Sequence, residues 1–298
     1  MSCARMMPMS IKKYVDKTED LSGKKIIVTG GTSGIGLSLV HFLLQKHAKV
    51  VILARNMEKA NNVRDSLLNK YQNATIELLT YDQSDDESVK KASQEILEKH
   101  SDFYALFLNA GIVQRKKPTK YVDDYPLTIK TNYVGLALFL KCLLPNLSGQ
   151  HRFIFQGSLV AGYRLKKIKS LKDKDIGLWQ QYYISKAGVE ALFYHYSQSE
   201  YPFEFLLVEP GIAITGIVRD FSSIIQKLAR LFAKVFSQSA DKAALTALLA
   251  VQSTTKNHSF IVPRGLFTLR GYPKLKKFSK KRIREKLYHM LDDDYKPL

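Results

Sequence analysis

A tyrosine followed four residues later by a lysine could carry out proton transfer, and this pattern occurs three times in the chain. The three pairs are Tyr163 with Lys167, Tyr182 with Lys186, and Tyr272 with Lys276. On a helix, a spacing of four places both side chains on one face, so that an ammonium group can lie beside a phenol. A phenol with its ordinary pKa near 10 is a poor base at neutral pH unless a neighbouring cation favours its ionised form. Such a pair could exchange a proton with the oxygen of a carbonyl or an alcohol.

The surrounding sequence favours the second of these pairs. The segment "YYISKAGVEALF" continues as a regular amphipathic helix. Tyr272 precedes a proline, which disfavours the α conformation at that tyrosine. The segment "YRLKK" around Tyr163 is basic and follows the fifth apolar run too closely to belong to a helix of its own. We therefore predict that Tyr182 and Lys186 form the reactive pair.

A glycine-rich turn follows the first apolar run of the chain. The stretch "VTGGTSGIG", Val28 to Gly36, joins the predicted strand "KIIVT" to an amphipathic segment. Glycine suits such a turn where φ is positive, where backbone approaches a ligand, or where a helix packs tightly on a strand. The helix N-terminus beyond it offers unpaired N–H groups and the positive end of a dipole, which suit a pyrophosphate. The alternative is a glycine-rich turn that binds no ligand.

The residue at the end of the second apolar run indicates which dinucleotide would bind. In a dinucleotide-binding fold an acidic residue at this point binds the ribose 2′-hydroxyl. The segment "VVILARNMEKA" instead has Arg55 and no Asp or Glu there. A guanidinium can form a bidentate pair with a 2′-phosphate, so the sequence favours NADP(H) over NAD(H). The alternative is an arginine at a solvated helix start.

Apolar, β-branched runs alternate with longer amphipathic segments along the chain. Six runs are typical of buried strands, at residues 25–29, 49–54, 75–82, 103–111, 152–157 and 203–211. Four segments have helical periodicity, at residues 36–47, 88–100, 132–147 and 182–199. This alternation predicts an α/β protein, a doubly wound parallel sheet of the Rossmann type with helices on both faces. No repeat or linker divides the chain, so we predict one domain over residues 20–298 after an N-terminal extension, 1–19.

Composition narrows the class of protein and its surroundings. The two cysteines, Cys3 and Cys142, are too few for a disulfide framework, which favours a reducing, cytoplasmic location. No 18 consecutive apolar residues occur without a charge, so the sequence does not predict a membrane span. The net charge of +19 favours anionic ligands or surfaces without selecting one. No cluster of residues indicates a metal site.

Several ordered motifs resemble the short-chain dehydrogenase/reductase family over residues 20–220. "TGGTSGIG" resembles its glycine turn, "YDQSD" its adenine-contacting segment, "LNAG" its Asn-Asn-Ala-Gly element and "VEPGIAITG" its Pro-Gly loop. The resemblance implies cofactor contacts from Gly30, Thr32, Ser33, Gly34, Ile35, Gly36, Asp82, Asn109, Ala110, Gly111, Pro210, Gly211 and Thr215. Leu108 stands where the family has its first asparagine of the third motif.

The same resemblance assigns the catalytic residues. Tyr182 would be the general acid and base, and Lys186 its electrostatic partner, which also reaches the nicotinamide ribose. Ser158 in "FQGSL" would bind the substrate carbonyl, and Asn132 in "KTNYVG" would hold a relay water. Singly, such a serine or asparagine is more often structural. The resemblance implies an NADP(H)-dependent oxidoreductase acting on a small-molecule carbonyl or alcohol. Members of the family are commonly dimers or tetramers, although some are monomers, so a homo-oligomer is one of the states that the resemblance allows.

Two features depart from the family pattern. Gly157 stands where many members have a second serine, which affects the strand end rather than the chemistry, and Tyr182 follows Ser158 by 24 positions. That long interval resembles the retinol-dehydrogenase-like and protochlorophyllide-reductase-like branch, which implies a lipophilic substrate. The family also places a substrate lid at residues 212–240.

The sequence indicates no single function for two segments, the lid and the basic C-terminal tail, residues 264–298. Within the lid, one helical face would carry Ile224, Leu228, Leu231, Phe232 and Val235, and another Lys227, Arg230 and Lys234. This helix could cover a hydrophobic substrate, rest weakly on an anionic membrane surface, or simply pack. The tail has no recognisable nucleic-acid module, so no nucleic-acid partner is expected. Two rival functions stay open: a non-catalytic NADP(H)-binding sensor or scaffold, and a peripheral membrane-associated protein.

Overall fold

A computed structural model describes residues 10–114, 116–161, 169–213, 237–278 and 285–294. Within these residues the ten strands are β1 Lys25–Thr29, β2 Lys49–Ala54, β3 Ile76–Thr80, β4 Ala105–Leu108, β5 Tyr121–Val122, β6 Tyr125–Pro126, β7 Arg152–Gln156, β8 Glu204–Val208, β9 Phe260–Pro263 and β10 Pro273–Lys276. Eight of them form one sheet in the order β10-β9-β8-β7-β4-β1-β2-β3. All its neighbouring pairs are parallel except β9 and β10. Strands β5 and β6 form a separate small hairpin.

Helices cover both faces of the sheet. The described helices are α1 Ile11–Asp16, α2 Gly34–Gln45, α3 Met57–Lys70, α4 Asp86–Lys99, α5 Leu127–Asn146, α6 Leu178–Ser197, α7 Ala240–Val251 and α8 Glu285–Asp294. Helices α1, α2, α3 and α7 share one hydrophobic cluster with the sheet. Helices α4, α5, α6 and α8 share the other. The predicted doubly wound α/β fold is confirmed.

The strands divide their side chains between the two clusters. In β1, Ile26 and Val28 belong to one cluster and Ile27 to the other, and all three are fully buried. Successive strand residues point to opposite faces, so a strand covered on both sides is apolar throughout. The pattern "KIIVT" therefore encodes a central strand of a covered parallel sheet.

All six predicted strands and all four predicted helices are present, with ends that differ by a few residues. The sequence analysis missed helices α1, α3, α7 and α8 and strands β5, β6, β9 and β10. Described residues of the N-terminal extension and of the tail also contribute to the core. In the N-terminal extension, Val15 of α1 is buried, and in the tail Leu287, Met290 and Leu291 of α8 are buried. Their apolar spacing was obscured by the surrounding basic residues.

One helix has the length and composition of a membrane span but lies in the interior. The most apolar 18-residue window of Leu127–Asn146, α5, has a mean hydropathy of 1.3, and 83% of that window is buried in the protein. A buried core helix is apolar all round for the same reason that a membrane helix is. Its apolar character is accounted for by packing against α4, α6 and the sheet.

Candidate active site

The glycine turn lies between β1 and α2, at the carboxyl edge of the sheet. Gly30 has φ of +69° and Gly34 has φ of +53°, a region that favours glycine. A methyl group at Gly36 would lie 2.5 Å from the carbonyl oxygen of Gly30, so this glycine permits the helix to pack on the turn. Helix α2 begins after Ser33, whose side chain makes no capping hydrogen bond. Thr32, Gly34 and Ile35 are partly exposed beside this helix end.

Arg55 and Asp82 lie together beyond the neighbouring strands. Arg55 directly follows β2, and 62% of its side chain is exposed. Its Nε atom is 3.8 Å from a carboxylate oxygen of Asp82, which lies just after β3. The backbone N–H and the hydroxyl of Ser84 donate to the other carboxylate oxygen at 2.9 and 2.6 Å. These bonds fix the Asp82 carboxylate beside the arginine.

Asn109 joins the end of β4 to the glycine turn. Its side-chain amide donates to the carbonyl oxygens of Thr29 and Gly30 at 2.9 and 3.3 Å. The Thr29 hydroxyl accepts from the backbone N–H groups of Asn109 and Ala110, both at 2.9 Å. A methyl group at Gly30 would meet Ala110 Cα at 3.1 Å. These hydrogen bonds therefore fix the position of the glycine turn relative to the end of β4.

Asn132 lies in a stretch of π-helix within α5, Lys130–Val134, and is buried. Its side-chain oxygen accepts from the Ile112 N–H at 2.7 Å, and its amide donates to the Ile112 carbonyl at 2.8 Å and to the Ser185 hydroxyl at 3.1 Å. A methyl group at Gly111 would lie 3.2 Å from the same asparagine oxygen. Asn132 thus connects the loop after β4 to α6. Single-turn π segments often occur at functional sites.

Tyr182 and Ser158 are brought together from α6 and the end of β7. Their side chains share a hydrogen bond, although 24 residues separate them in sequence. Burial raises the pKa of Tyr182, and the hydrogen bond from Ser158 offsets part of that rise. Ser185, three residues further along α6, donates its hydroxyl to the Tyr182 carbonyl at 2.9 Å. A phenol and a serine hydroxyl thus meet where a substrate oxygen could bind between them.

Lys186 follows Tyr182 by one turn of α6 and is buried. Its ammonium group donates to the carbonyl oxygen of Gln156, the last residue of β7, at 2.9 Å. Burial lowers the pKa of Lys186 to about 8, while the carboxylate of Glu190 acts in the opposite direction. The lysine is therefore mostly protonated at neutral pH, and its charge is held at the end of β7, the strand that leads to Ser158.

The Pro-Gly loop follows β8 at the same edge. Gly211 has φ of +68°, and a methyl group there would lie 2.3 Å from the Leu269 carbonyl oxygen. The Pro210 carbonyl accepts from the side-chain amide of Gln238 at 2.6 Å. Thr215 and most of the predicted lid, including its amphipathic helix, lie outside the described residues. Tyr163 and Lys167 also lie outside them.

The carboxyl ends of β1, β2, β3, β4, β7 and β8, together with α5 and α6, therefore bring the described candidate residues to one edge of the sheet. Sequence reasoning missed four residues that position them: Thr29, Gln156, Ser185 and Gln238. Each was within or near a quoted motif, but its partner is distant in sequence. Among the described residues, no group of three His, Cys, Asp or Glu side chains could hold a metal ion.

Comparison with known proteins agrees with this architecture. The family model of short chain dehydrogenases matches residues 24–223. Short-chain dehydrogenase/reductase pkfC of Emericella nidulans is 29% identical over 232 residues, covering 72% of this chain and 74% of that protein. A short-chain dehydrogenase/reductase of Armillaria gallica is 35% identical over 144 residues. That match covers 48% of this chain and spans 46% of the relative's length.

Solved structures share the fold at low sequence identity. An uncharacterized protein from Mycobacterium Paratuberculosis has a TM-score of 0.67 at 19% identity, with 94% of this chain and 96% of that chain covered. L-Sorbose reductase from Gluconobacter frateurii, solved in complex with NADPH and L-sorbose, has a TM-score of 0.63 at 16% identity, with 79% and 92% covered. The matched residues, the sheet order and the shared fold together mean that this chain belongs to the short-chain dehydrogenase family of Rossmann-fold oxidoreductases.

Proposed function

We propose that this protein is an NADP(H)-dependent oxidoreductase that interconverts a carbonyl and an alcohol on a lipophilic substrate. The observation that carries the proposal is the hydrogen-bonded pair of Tyr182 and Ser158, with the Lys186 ammonium one helical turn away. This arrangement would provide two hydroxyl groups for a substrate oxygen, with a buried cation at the end of the strand that leads to Ser158. A scaffold that only bound a nucleotide would have no need of it.

The chemistry follows from the protonation states. A bound nicotinamide would supply or accept the hydride at the carbonyl carbon. In reduction, Tyr182 would protonate the developing alkoxide, while the Ser158 hydroxyl holds the same oxygen in place. The positive charge of Lys186 would stabilise the phenolate left behind. Asn132 would support a relay that returns a proton to the tyrosine.

The residues at the first turn fit a dinucleotide phosphate. The start of α2 has no side-chain cap at Ser33, so its backbone N–H groups can donate to a pyrophosphate. The proposed preference for NADP(H) depends on Arg55, which is largely exposed after β2. Asp82 engages its Nε edge at 3.8 Å, and the terminal nitrogens suit a 2′-phosphate. NADPH in the L-sorbose reductase complex and NADP in that of a Burkholderia cenocepacia short chain dehydrogenase are consistent with this preference.

Aromatic side chains near Tyr182 support a lipophilic substrate. Trp179, three residues before Tyr182 on α6, is 42% exposed and stacks on Tyr183. Tyr121 of the β5–β6 hairpin is 38% exposed, and its hydroxyl donates to the carbonyl of Lys174, in the loop that leads into α6. Flat apolar groups exposed beside a reactive tyrosine would favour an apolar substrate body.

The first test is a fluorescence titration with NADPH and NADH. Arg55→Ala should weaken NADPH binding by about 10-fold to 100-fold, because a charge-assisted contact with the 2′-phosphate is lost. NADH binding should not change. Arg64→Ala is the matched control, since Arg64 is a surface residue of α3 that pairs with Asp65. An equal loss of affinity for both nucleotides in the Arg55 variant would contradict the role of Arg55 in binding the 2′-phosphate. Binding of neither nucleotide by the parent protein would contradict the proposed cofactor.

A screen of lipophilic aldehydes, ketones and alcohols then tests the substrate class. NADPH oxidation in the presence of the carbonyls, absent with small polar sugars, is the expected result. Turnover confined to polar substrates would overturn the lipophilic part of the proposal and leave the cofactor assignment intact.

A further inference from the structure

A second buried charge lies one turn beyond Lys186 on α6. Glu190 is completely buried, and Lys186 is 7% exposed. Removing a carboxylate from water costs several kcal/mol unless an opposite charge and hydrogen bonds compensate, an order of magnitude that applies to buried ions in general. Residues four apart on a helix share a face, so the lysine and the glutamate are neighbours. Both side chains are therefore buried on one face of α6.

Both side chains reach the carboxyl end of β7. Lys186 donates to the Gln156 carbonyl, and a methyl group at the next residue, Gly157, would lie 3.6 Å from Glu190 Oε1. Ser158 follows directly and bonds to Tyr182. The glutamate thus lies beneath the part of the strand that carries the substrate-binding serine.

Gly157 shows how close the glutamate lies to the end of β7. A methyl group there would lie 3.1 Å from Leu207 Cδ1 and at ordinary van der Waals distance from both the Val208 carbonyl oxygen and Glu190 Oε1. The Glu190 carboxylate therefore lies close to the residue that joins Gln156 to Ser158.

We propose that Glu190 is a positioning residue, whose buried carboxylate keeps the Lys186 ammonium protonated and directed at the end of β7, beneath Tyr182 and Ser158. The proposal rests on the proposed function only for the catalytic value of that charge. Among the described residues, the other ionisable groups near this edge include Tyr182 on the same helix, Arg55 and Asp82 after β2 and β3, and the buried Glu209 after β8. Of the carboxylates, Glu190 is the one that opposes the effect of burial on the pKa of Lys186.

The direct test measures the protonation of Lys186 without any substrate. Lysine side-chain signals are followed by NMR across a pH series in protein with isotopically labelled lysine, and the Lys186 signal is identified by its loss in Lys186→Arg. In Glu190→Gln, the titration midpoint of Lys186 should fall by about one pH unit or more, because the opposing carboxylate charge is removed. An unchanged midpoint would overturn the proposal.

Two further variants keep this test decisive. Glu190→Asp retains the charge but withdraws it by one methylene, so the midpoint should fall by less than in Glu190→Gln. If the glutamine variant does not fold, an unchanged midpoint in the aspartate variant contradicts the proposal. Glu204→Gln is the matched control at the amino end of β8, where Arg152 still donates to the carbonyls of Ala250, Gln252 and Thr255. It should leave Lys186 unchanged.

The catalytic consequence is a shifted pH profile. With a substrate from the carbonyl screen, the alkaline loss of kcat in Glu190→Gln should move to lower pH by the same interval as the NMR midpoint, while KM for NADPH stays near the parent value. A midpoint that falls without any movement of this limb would refute the positioning role. A shifted NMR midpoint in a protein that turns over no carbonyl would support the Lys186–Glu190 pairing and overturn the proposed function.

Discussion

At the residue scale, burial affects the pKa of Tyr182 more strongly than the neighbouring charge of Lys186 does. The sequence predicted that Lys186 would lower the pKa of Tyr182, but burial raises it. The physical reason is that α6 places both groups in the interior, where the lysine ammonium donates to the Gln156 carbonyl. The phenol therefore keeps its proton at neutral pH, which suits reduction. Oxidation of an alcohol needs the phenolate and should become faster as pH rises.

Removal of the phenol oxygen tests this role. Tyr182→Phe should lower turnover by about 10²-fold to 10⁴-fold, the range for losing a general acid or base, and leave NADPH binding intact. Steady-state rates in both directions, with NADPH titration beside them, make the measurement. Tyr183→Phe, the adjacent residue on α6, is the control and should retain activity. Undiminished turnover in Tyr182→Phe would refute the assignment of Tyr182 as the general acid and base.

At the element scale, the site depends on close packing between α6 and the π segment of α5. Gly188 lies against the buried ring of Tyr133, where a methyl group would come within 2.5 Å of ring carbons. The same two elements are joined by the Asn132–Ser185 hydrogen bond. Their separation therefore sets where Asn132 lies relative to Tyr182.

A methyl group at this contact should disturb stability and activity together. We expect Gly188→Ala to lower the free energy of unfolding by about 1–3 kcal/mol, the usual cost of overpacking a core. Denaturant unfolding measures the effect. Gly177→Ala, at the start of the same helix, has no atom within 4 Å of the added methyl group and should change stability little. Equal stability of the two variants would mean that the helices separate at no cost.

At the scale of the whole molecule, the C-terminal segment is part of the folded unit. Strand β10 pairs antiparallel with β9 and is the edge strand on that side of the sheet. Helix α8 contributes Leu287 and Leu291 to the cluster that contains α5 and α6. The Tyr133 hydroxyl donates to the Leu287 carbonyl at 2.8 Å, which connects α8 to the π segment beside Asn132.

Two leucines in this region distinguish an integrated segment from an appended tail. Leu291→Ala should destabilise the protein by about 2–5 kcal/mol, because Leu291 is 1% exposed and its loss leaves a cavity. Leu275→Ala removes the same atoms from a side chain that is 60% exposed and should have a small effect. Thermal and denaturant unfolding of both variants provide the comparison. Matching stabilities would show that α8 does not contribute to the core.

Local patterns made much of the fold predictable. Fully apolar runs such as "KIIVT" give buried parallel strands, and the spacing of "YYISKAGVEALF" gives a helix, because each signal lies within a few residues. Helix α8 was missed because Leu287 and Leu291 are surrounded by charges, and only contact with α6 makes them core residues. The neighbours of Asn132 could not be predicted, since Ser185 is 53 residues away in sequence.

The sequence by itself determined the α/β alternation, the glycine turn and the residue types of the candidate site, because helical spacing, strand burial and backbone freedom are local properties. Tertiary structure decided which groups meet. Tyr182 meets Ser158, Lys186 meets the end of β7, and the Glu190 carboxylate lies near Gly157 at that same strand end. It also decided the direction in which the pKa values of Tyr182 and Lys186 shift, because burial depends on which elements pack above a side chain.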